Sequence, residues 1–323
     1  MRSSCLALVT VAFGSVVNGQ QLPDSAFHFQ NAHPAFSAGA GPDVCVDTAH
    51  HNFHTLDGRY YAFGKLLRED GFRTTSLSEP LDLAMLAECV VLVVANALAA
   101  PVGEPNADFN APAFRQDEIA RILEWVVAGG RLLLVMDHAP YPAAAANLAA
   151  ALGVVSLNGG ATYRMFGELP EEAVRTITEE YGITVDSVRR VLGPLGTLGD
   201  HAILRGRPGL DPSVRTLMTF GGSAFYPARD VHPLLQVPSS TSGRVSLPGR
   251  PSQGQAPRYI LDGWLVGGAR EIGAGRAVIL GEAAMCSAQL AGPERTLMGM
   301  NEPLAVDNAQ FCLNVIRWLA GVI

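Results

Sequence analysis

Apolar positions along this chain follow two rhythms. Residues 44–47, 89–95 and 131–136 are short, nearly continuous apolar runs, rich in valine and leucine, and 72–77 is a fourth strand-length segment. Such runs fit strands buried on both faces of a sheet. Between them the apolar residues recur at helical spacing. Tyr60, Phe63 and Leu67 lead to a stop at Asp70-Gly71, and 81–88 is a short helix. Ile119, Ile122, Leu123 and Val126 mark a helix closed by Gly129-Gly130, and 143–152 is alanine-rich and stopped by Gly153. Strand and helix in alternation predict a parallel sheet with helices on both faces.

Residues 154–257 break the rhythm. They carry a helix opened by Pro170, a Gly/Pro-rich passage over 193–209, a strand over 214–220 and a Ser/Pro/Gly-rich loop over 238–257. The segment reads as a β-containing elaboration of one α/β domain spanning 44–323, because the core pattern then resumes. Strands over 264–272 and 276–280 are joined at Gly273-Ala274-Gly275, a hairpin signal, and a helix over 306–319 closes the chain. Residues 20–43 read as an irregular, loosely packed arm. Arg2, the apolar run 5–17 and the small residues ending at Gly19 predict a signal peptide over 1–19. Cys5 lacks the context of a lipoprotein site, and no later stretch is long enough to span a bilayer. The expectation is a periplasmic or secreted protein without a membrane anchor.

With a net charge of −7 and no run of Lys or Arg, nucleic acid is not an expected partner. Cys45, Cys89, Cys286 and Cys312 lie in or beside apolar stretches, without a CxxC pair. Export permits disulfides, but the spacing does not pair them, and small buried hydrophobes are the preferred reading.

Chemistry concentrates at the strand exits. The first ends at Asp47 and runs into His50, His51 and His54, three of the eight histidines. The others end at Asn96, at Asp137-His138 and at Glu282. In a parallel sheet these exits share the edge where open α/β folds bind ligands. His50, His54, Asp137, His138 and Glu282 are the candidate catalytic cluster. Asn52 and Asn96 are candidate substrate-orienting groups, and the 97–113 loop is a candidate cover. Three readings of the histidines stay open. They could ligate a divalent metal such as zinc, act as acid/base groups oriented by a carboxylate, or cap a tight turn. No GxSxG elbow is present. Gly273-Ala274-Gly275 reads as a turn, not a dinucleotide fingerprint, so no nucleotide cofactor is expected. The expected ligand is a small polar molecule or a saccharide.

Several motifs carry a resemblance. They are Asp47-Thr-Ala-His-His-Asn-Phe-His-Thr55 with Gly58-Arg-Tyr60, Val94-Ala-Asn-Ala-Leu98, Trp125 to Leu134, Asp137-His-Ala-Pro140, Gly281-Glu-Ala-Ala-Met285 with Ala288-Gln-Leu-Ala-Gly292, Met298-Gly-Met-Asn301 and the segment 308–318. Over nearly all of 43–323 the chain resembles an uncharacterised family of exported bacterial proteins. That family is similar in fold to the class I glutamine amidotransferases and to the domain shared by gliding-motility and intraflagellar-transport proteins. The resemblance implies a doubly wound, mainly parallel, flavodoxin-like sheet. The amidotransferases use a Cys nucleophile at a strand exit. The corresponding exit here reads Met136-Asp137-His138, so glutaminase activity is not expected. A hydrolase-like enzyme, or alternatively a non-catalytic carbohydrate- or partner-binding module of the cell envelope, is.

Overall fold

The structure is a computed structural model that describes residues 21–161, 163–239, 241–245 and 257–323. The expected signal peptide lies outside the described residues. Five strands of the largest sheet are parallel neighbours, in the spatial order Arg73–Leu77, Asp43–Asp47, Val91–Ala95, Arg131–Val135, Gly275–Leu280. In chain order this is second, first, third, fourth, fifth. The winding therefore reverses after the first two strands, which leaves a crevice between the carboxyl ends of Asp43–Asp47 and Val91–Ala95.

The alternation of side chains along each strand explains why both faces are apolar. Val44, Val46, Val91, Val93, Leu133, Val135, Val278 and Leu280 pack on one face. There they meet Phe63 and Leu67 of the helix Tyr61–Glu69, and Phe311 and Val315 of the helix Asn308–Leu319. Cys45, Leu92, Val94, Leu132, Leu134, Ala277 and Ile279 pack on the other. That face is covered by Leu86 of Leu83–Ala87, by Ile119, Ile122 and Val126 of Gln116–Val127, and by Leu148 of Ala146–Ala151. Burial of each Val, Leu, Ile or Phe side chain among them contributes about 1.5–3 kcal/mol before entropy is subtracted.

The sheet continues beyond the parallel strands. Leu265–Ile272 pairs antiparallel with Gly275–Leu280, as the hairpin signal predicts, and then with Phe225–Pro227, which pairs with Val154–Ser156. His232–Gln236 also joins Leu265–Ile272. Other strands of the elaboration form separate antiparallel sheets. Met165–Gly167 pairs with Thr216–Met218, and Ser242–Val245 lies between Gly159–Ala161 and Arg258–Ile260. The architecture is thus mixed α/β, a mainly parallel central sheet with added antiparallel sheets. The helix expected over 143–152 is split into Tyr141–Ala144 and Ala146–Ala151, and Val185–Leu192 forms a helix that its sequence did not announce.

One expectation is qualified and one corrected. Residues 24–42 form no regular element, as expected of the arm, but the arm is anchored at several points. Gln21–Pro23 adds a strand to Ala288–Ala291. Further on, Asn31 Nδ2 and the Ala35 N–H donate to Asp70 Oδ1 at 2.7 and 2.8 Å. Asp70 is in turn held by the fully buried Arg317, whose Nε donates to Asp70 Oδ2 at 2.8 Å and whose Nη1 donates to Asp211 Oδ1 at 2.9 Å. One guanidinium thus ties the arm, the first helix, the last helix and the elaboration together. The cysteines are not free hydrophobes. Cys45 pairs with Cys89 and Cys286 with Cys312 in disulfides. Cys45 lies on the strand that Val91–Ala95 flanks, which brings the turn at Cys89 within reach. Among the described residues no helix is long and apolar enough to cross a membrane.

Candidate functional site

His54, Asn96, Asp137, His138 and Glu282 line one pocket of about 60 Å³ at the carboxyl edge of the parallel strands. Its buried residues are His54, Asn96, Asp137, Tyr141, Glu282, Ala284 and Gln289, and its half-buried rim is Gln21, Phe53, His138, Phe220 and Met298. The parallel register accounts for the convergence. Arg131–Val135 pairs residue for residue with both Val91–Ala95 and Gly275–Leu280, so Asn96, Asp137 and Glu282 leave the sheet side by side.

Backbone groups hold each member. Asn96 has φ 53°, a left-handed conformation that asparagine tolerates. Its Oδ1 accepts the Asp137 N–H at 2.9 Å. Asp137 Oδ1 accepts the His138 N–H at 2.7 Å, and its Oδ2 accepts the Ala283 N–H at 3.3 Å. His138 Nδ1 donates to the Ala139 carbonyl at 2.8 Å, so a neutral ring carries its lone pair on Nε2. Glu282 Oε2 accepts the N–H groups of Phe220 and Gly222, both at 2.9 Å, and Oε1 accepts that of Ala284 at 3.0 Å. A Cβ at Gly222 would stand 2.1 Å from the Gly281 carbonyl oxygen and 2.9 Å from Glu282 Oε2, so only glycine lets this turn approach the carboxylate.

Electrostatics separate the titrating groups. Burial, reinforced by the neighbouring Asp137 charge, pushes the Glu282 carboxyl up to about 8 against the pull of its three N–H donors. Burial, with the nearby Arg59 and His138, pushes His54 down to about 3, so its imidazole is neutral at ordinary pH.

His50 and Asn52 are not in this pocket, although the sequence grouped them with it. The chain turns at His51, which has φ 47° and is exposed, and His50 is directed elsewhere. His50 Nδ1 lies 2.8 Å from Asp47 Oδ2, its Nε2 lies 3.1 Å from Glu118 Oε2, and its ring packs 4.2 Å from that of Phe114. Burial opposes a charge there, but the hydrogen bonds and charges of Asp47 and Glu118 outweigh it and raise His50 to about 9. His50 is a cationic clasp between the first strand exit and the helix Gln116–Val127. Asn52 accepts the His50 N–H and donates to the Ala95 carbonyl, which fastens the loop. The three histidines therefore diverge. Among the described residues no three His, Cys, Asp or Glu side chains are placed to hold one metal ion. The 97–113 loop contributes nothing to the lining. Its Phe109 and Ala113 pack against Leu98, Tyr141 and Phe53 behind the rim.

No family model matches the chain, and no curated protein matches it. Solved structures do. The mmIFT52 N-terminal domain superposes with a TM-score of 0.54 at 12% identity, over 86% of this chain and 97% of that one. This is a likeness of fold alone. A ThuA-like protein from Bacteroides uniformis gives a TM-score of 0.41 at 13% identity, over 91% of this chain and 94% of that one. An exo-beta-1,4-mannosidase from an Opitutaceae bacterium gives 0.36 at 14%, over 75% of this chain and 31% of that one. The last two scores are too low to carry an argument.

Sequence reading missed Gln21, Phe53, Tyr141, Phe220, Gln289 and Met298. Phe53 and Tyr141 stand beside residues that were singled out, and an aromatic next to a polar strand exit is a usable signal. Gln289 and Gln21 sit on strands of a small sheet that brings the arm to the site; Gln289 falls in a motif of the resemblance but at no strand exit of the parallel sheet, and nothing local marks Gln21.

Proposed function

We propose that the pocket is an acid/base site of a hydrolase-like enzyme acting on a small polar or saccharide-type group. The observation that carries this reading is the pair Asp137 and Glu282 in one pocket, with burial holding a proton on Glu282 at neutral pH. Environments that push neighbouring titratable groups apart are how acid and base roles are divided. Both lone pairs of Glu282 Oε2 are taken by N–H donors, so its proton resides on Oε1. Glu282 is the general acid that gives this proton to a leaving group. Asp137, with His138 on the rim, is the base that takes one from water. His54 and Asn96 position the substrate, while His50 and Asn52 act only through the scaffold.

The reading also places the chain with flavodoxin-like, amidotransferase-like proteins, since the order of its parallel strands is the flavodoxin order. All four described cysteines are in disulfides, so among the described residues no thiolate serves as a nucleophile. Those disulfides suit an exported member of such a family.

A panel of chromogenic glycosides and esters, assayed with the wild-type protein and with Asp137→Asn and Glu282→Gln, tests the reading. Turnover lost in both variants supports it. Saccharide binding without turnover, unaffected by either substitution, would instead establish a non-catalytic binding module.

A further inference from the structure

Two side chains in the pocket wall have their hydrogen-bonding sense fixed by the backbone, and each ends in a buried atom with no partner among the described residues. The first chain starts at the Asp137 N–H. It is accepted by Asn96 Oδ1, which settles the amide orientation, so Asn96 Nδ2 donates to His54 Nδ1 at 3.2 Å. The proton of the neutral imidazole is then on Nε2, and that N–H is unpartnered. The second chain ends at the Ala284 carbonyl. Ser287 Oγ donates to it at 2.8 Å, so Ser287 accepts from Gln289 Nε2 at 2.6 Å, and Gln289 Oε1 is left as an unpartnered acceptor. His54 and Gln289 are 3% and 1% exposed. Leaving such atoms unsatisfied costs about 1–3 kcal/mol each, so a group held in the pocket is expected to meet them.

We propose that His54 is a fixed hydrogen-bond donor and Gln289 a fixed acceptor, set by Asn96 and Ser287, and that together they select the hydroxyl edge of an uncharged polyol. This rests on the pocket being a binding site and names what it binds. A hydroxyl both donates and accepts, so adjacent hydroxyls satisfy both atoms and can add a bond to Asp137. A carboxylate can only accept, so it leaves Gln289 Oε1 unmet and faces the Asp137 charge. An ammonium leaves the His54 N–H unmet. The rings of Phe53, Tyr141 and Phe220 offer apolar surface to the carbon skeleton. The low affinity of His54 for a second proton supports the assignment, because a neutral ring keeps one defined donor.

Nitrogen-15 NMR of the histidine side chains tests this in the intact chain. In the wild-type protein His54 is expected to be protonated on Nε2 and bare on Nδ1. In Asn96→Asp the carboxylate can only accept, so Nδ1 becomes protonated, a change that a merely structural role would not produce. Glycerol is the probe, with acetate, methylammonium and acetamide as competitors; a molecule this small binds in the millimolar range at best. Glycerol should shift the His54 signals saturably, and Gln289→Leu should weaken it about tenfold. A proton on Nδ1 in the wild-type protein overturns the donor assignment. Tighter binding of acetate, methylammonium or acetamide overturns the polyol while leaving the pocket as a ligand site. If no probe produces a saturable shift, the pocket holds water only, and both this inference and the binding reading fall.

Discussion

The His50 clasp gives a prediction whose size can be worked out. His50→Gln keeps the shape of the side chain approximately and removes its positive charge from between Asp47 and Glu118. The folded imidazole titrates near 9 and an ordinary one near 6.5. Linkage converts that gap into roughly 3 kcal/mol of stability at full protonation. The folded state holds the proton more tightly than the unfolded state. The contribution is therefore fully present below 6.5 and is lost as pH rises through about 9. Denaturant unfolding of wild type and His50→Gln, under non-reducing conditions at a series of pH values, measures it. The stability gap should be roughly 3 kcal/mol at mildly acidic pH and shrink toward zero in alkali. Taking the difference between the two proteins cancels Glu282, which titrates in both. A gap that stays constant or widens with pH would refute the clasp, because the imidazole would then be acting by packing or as a neutral donor.

Three further outcomes follow from buried groups. Arg317→Met should destabilise the fold by about 3–5 kcal/mol in the same unfolding assay, since it leaves Asp70 as a buried charge facing an apolar side chain, while Asp211 keeps Arg207. Replacing Cys45 and Cys89 by alanine removes a cross-link between residues 44 apart, and should lower stability by about 4 kcal/mol on the chain-entropy account. Glu282 is raised in the fold from 4.5 to about 8, so wild-type stability should decline as pH rises through that interval, and Glu282→Gln should flatten the decline. Where turnover is found, the wild-type rate should fall in alkali, near the same value, as Glu282 loses its proton.

The parallel core and its polar edge were legible in the sequence because burial on both faces of a sheet demands unbroken apolar runs. Those runs mark the exits at Asp47, Asn96, Asp137 and Glu282 to within a residue or two, and the convergence of three of them followed from a parallel register. Local pattern could not reveal which way a side chain turns after its strand ends. His50 and His54 are four positions apart, yet a left-handed residue at His51 sends one to Glu118 and the other to Asn96. Nor could it show that Glu282 is cradled by the turn at Gly222, that Arg317 reaches back to Asp70, or that Cys45 meets Cys89. Those contacts join residues tens to hundreds of positions apart, and they exist only because the sheet order brings distant segments together. Periodicity encodes which residues are buried; register and winding decide which of them meet.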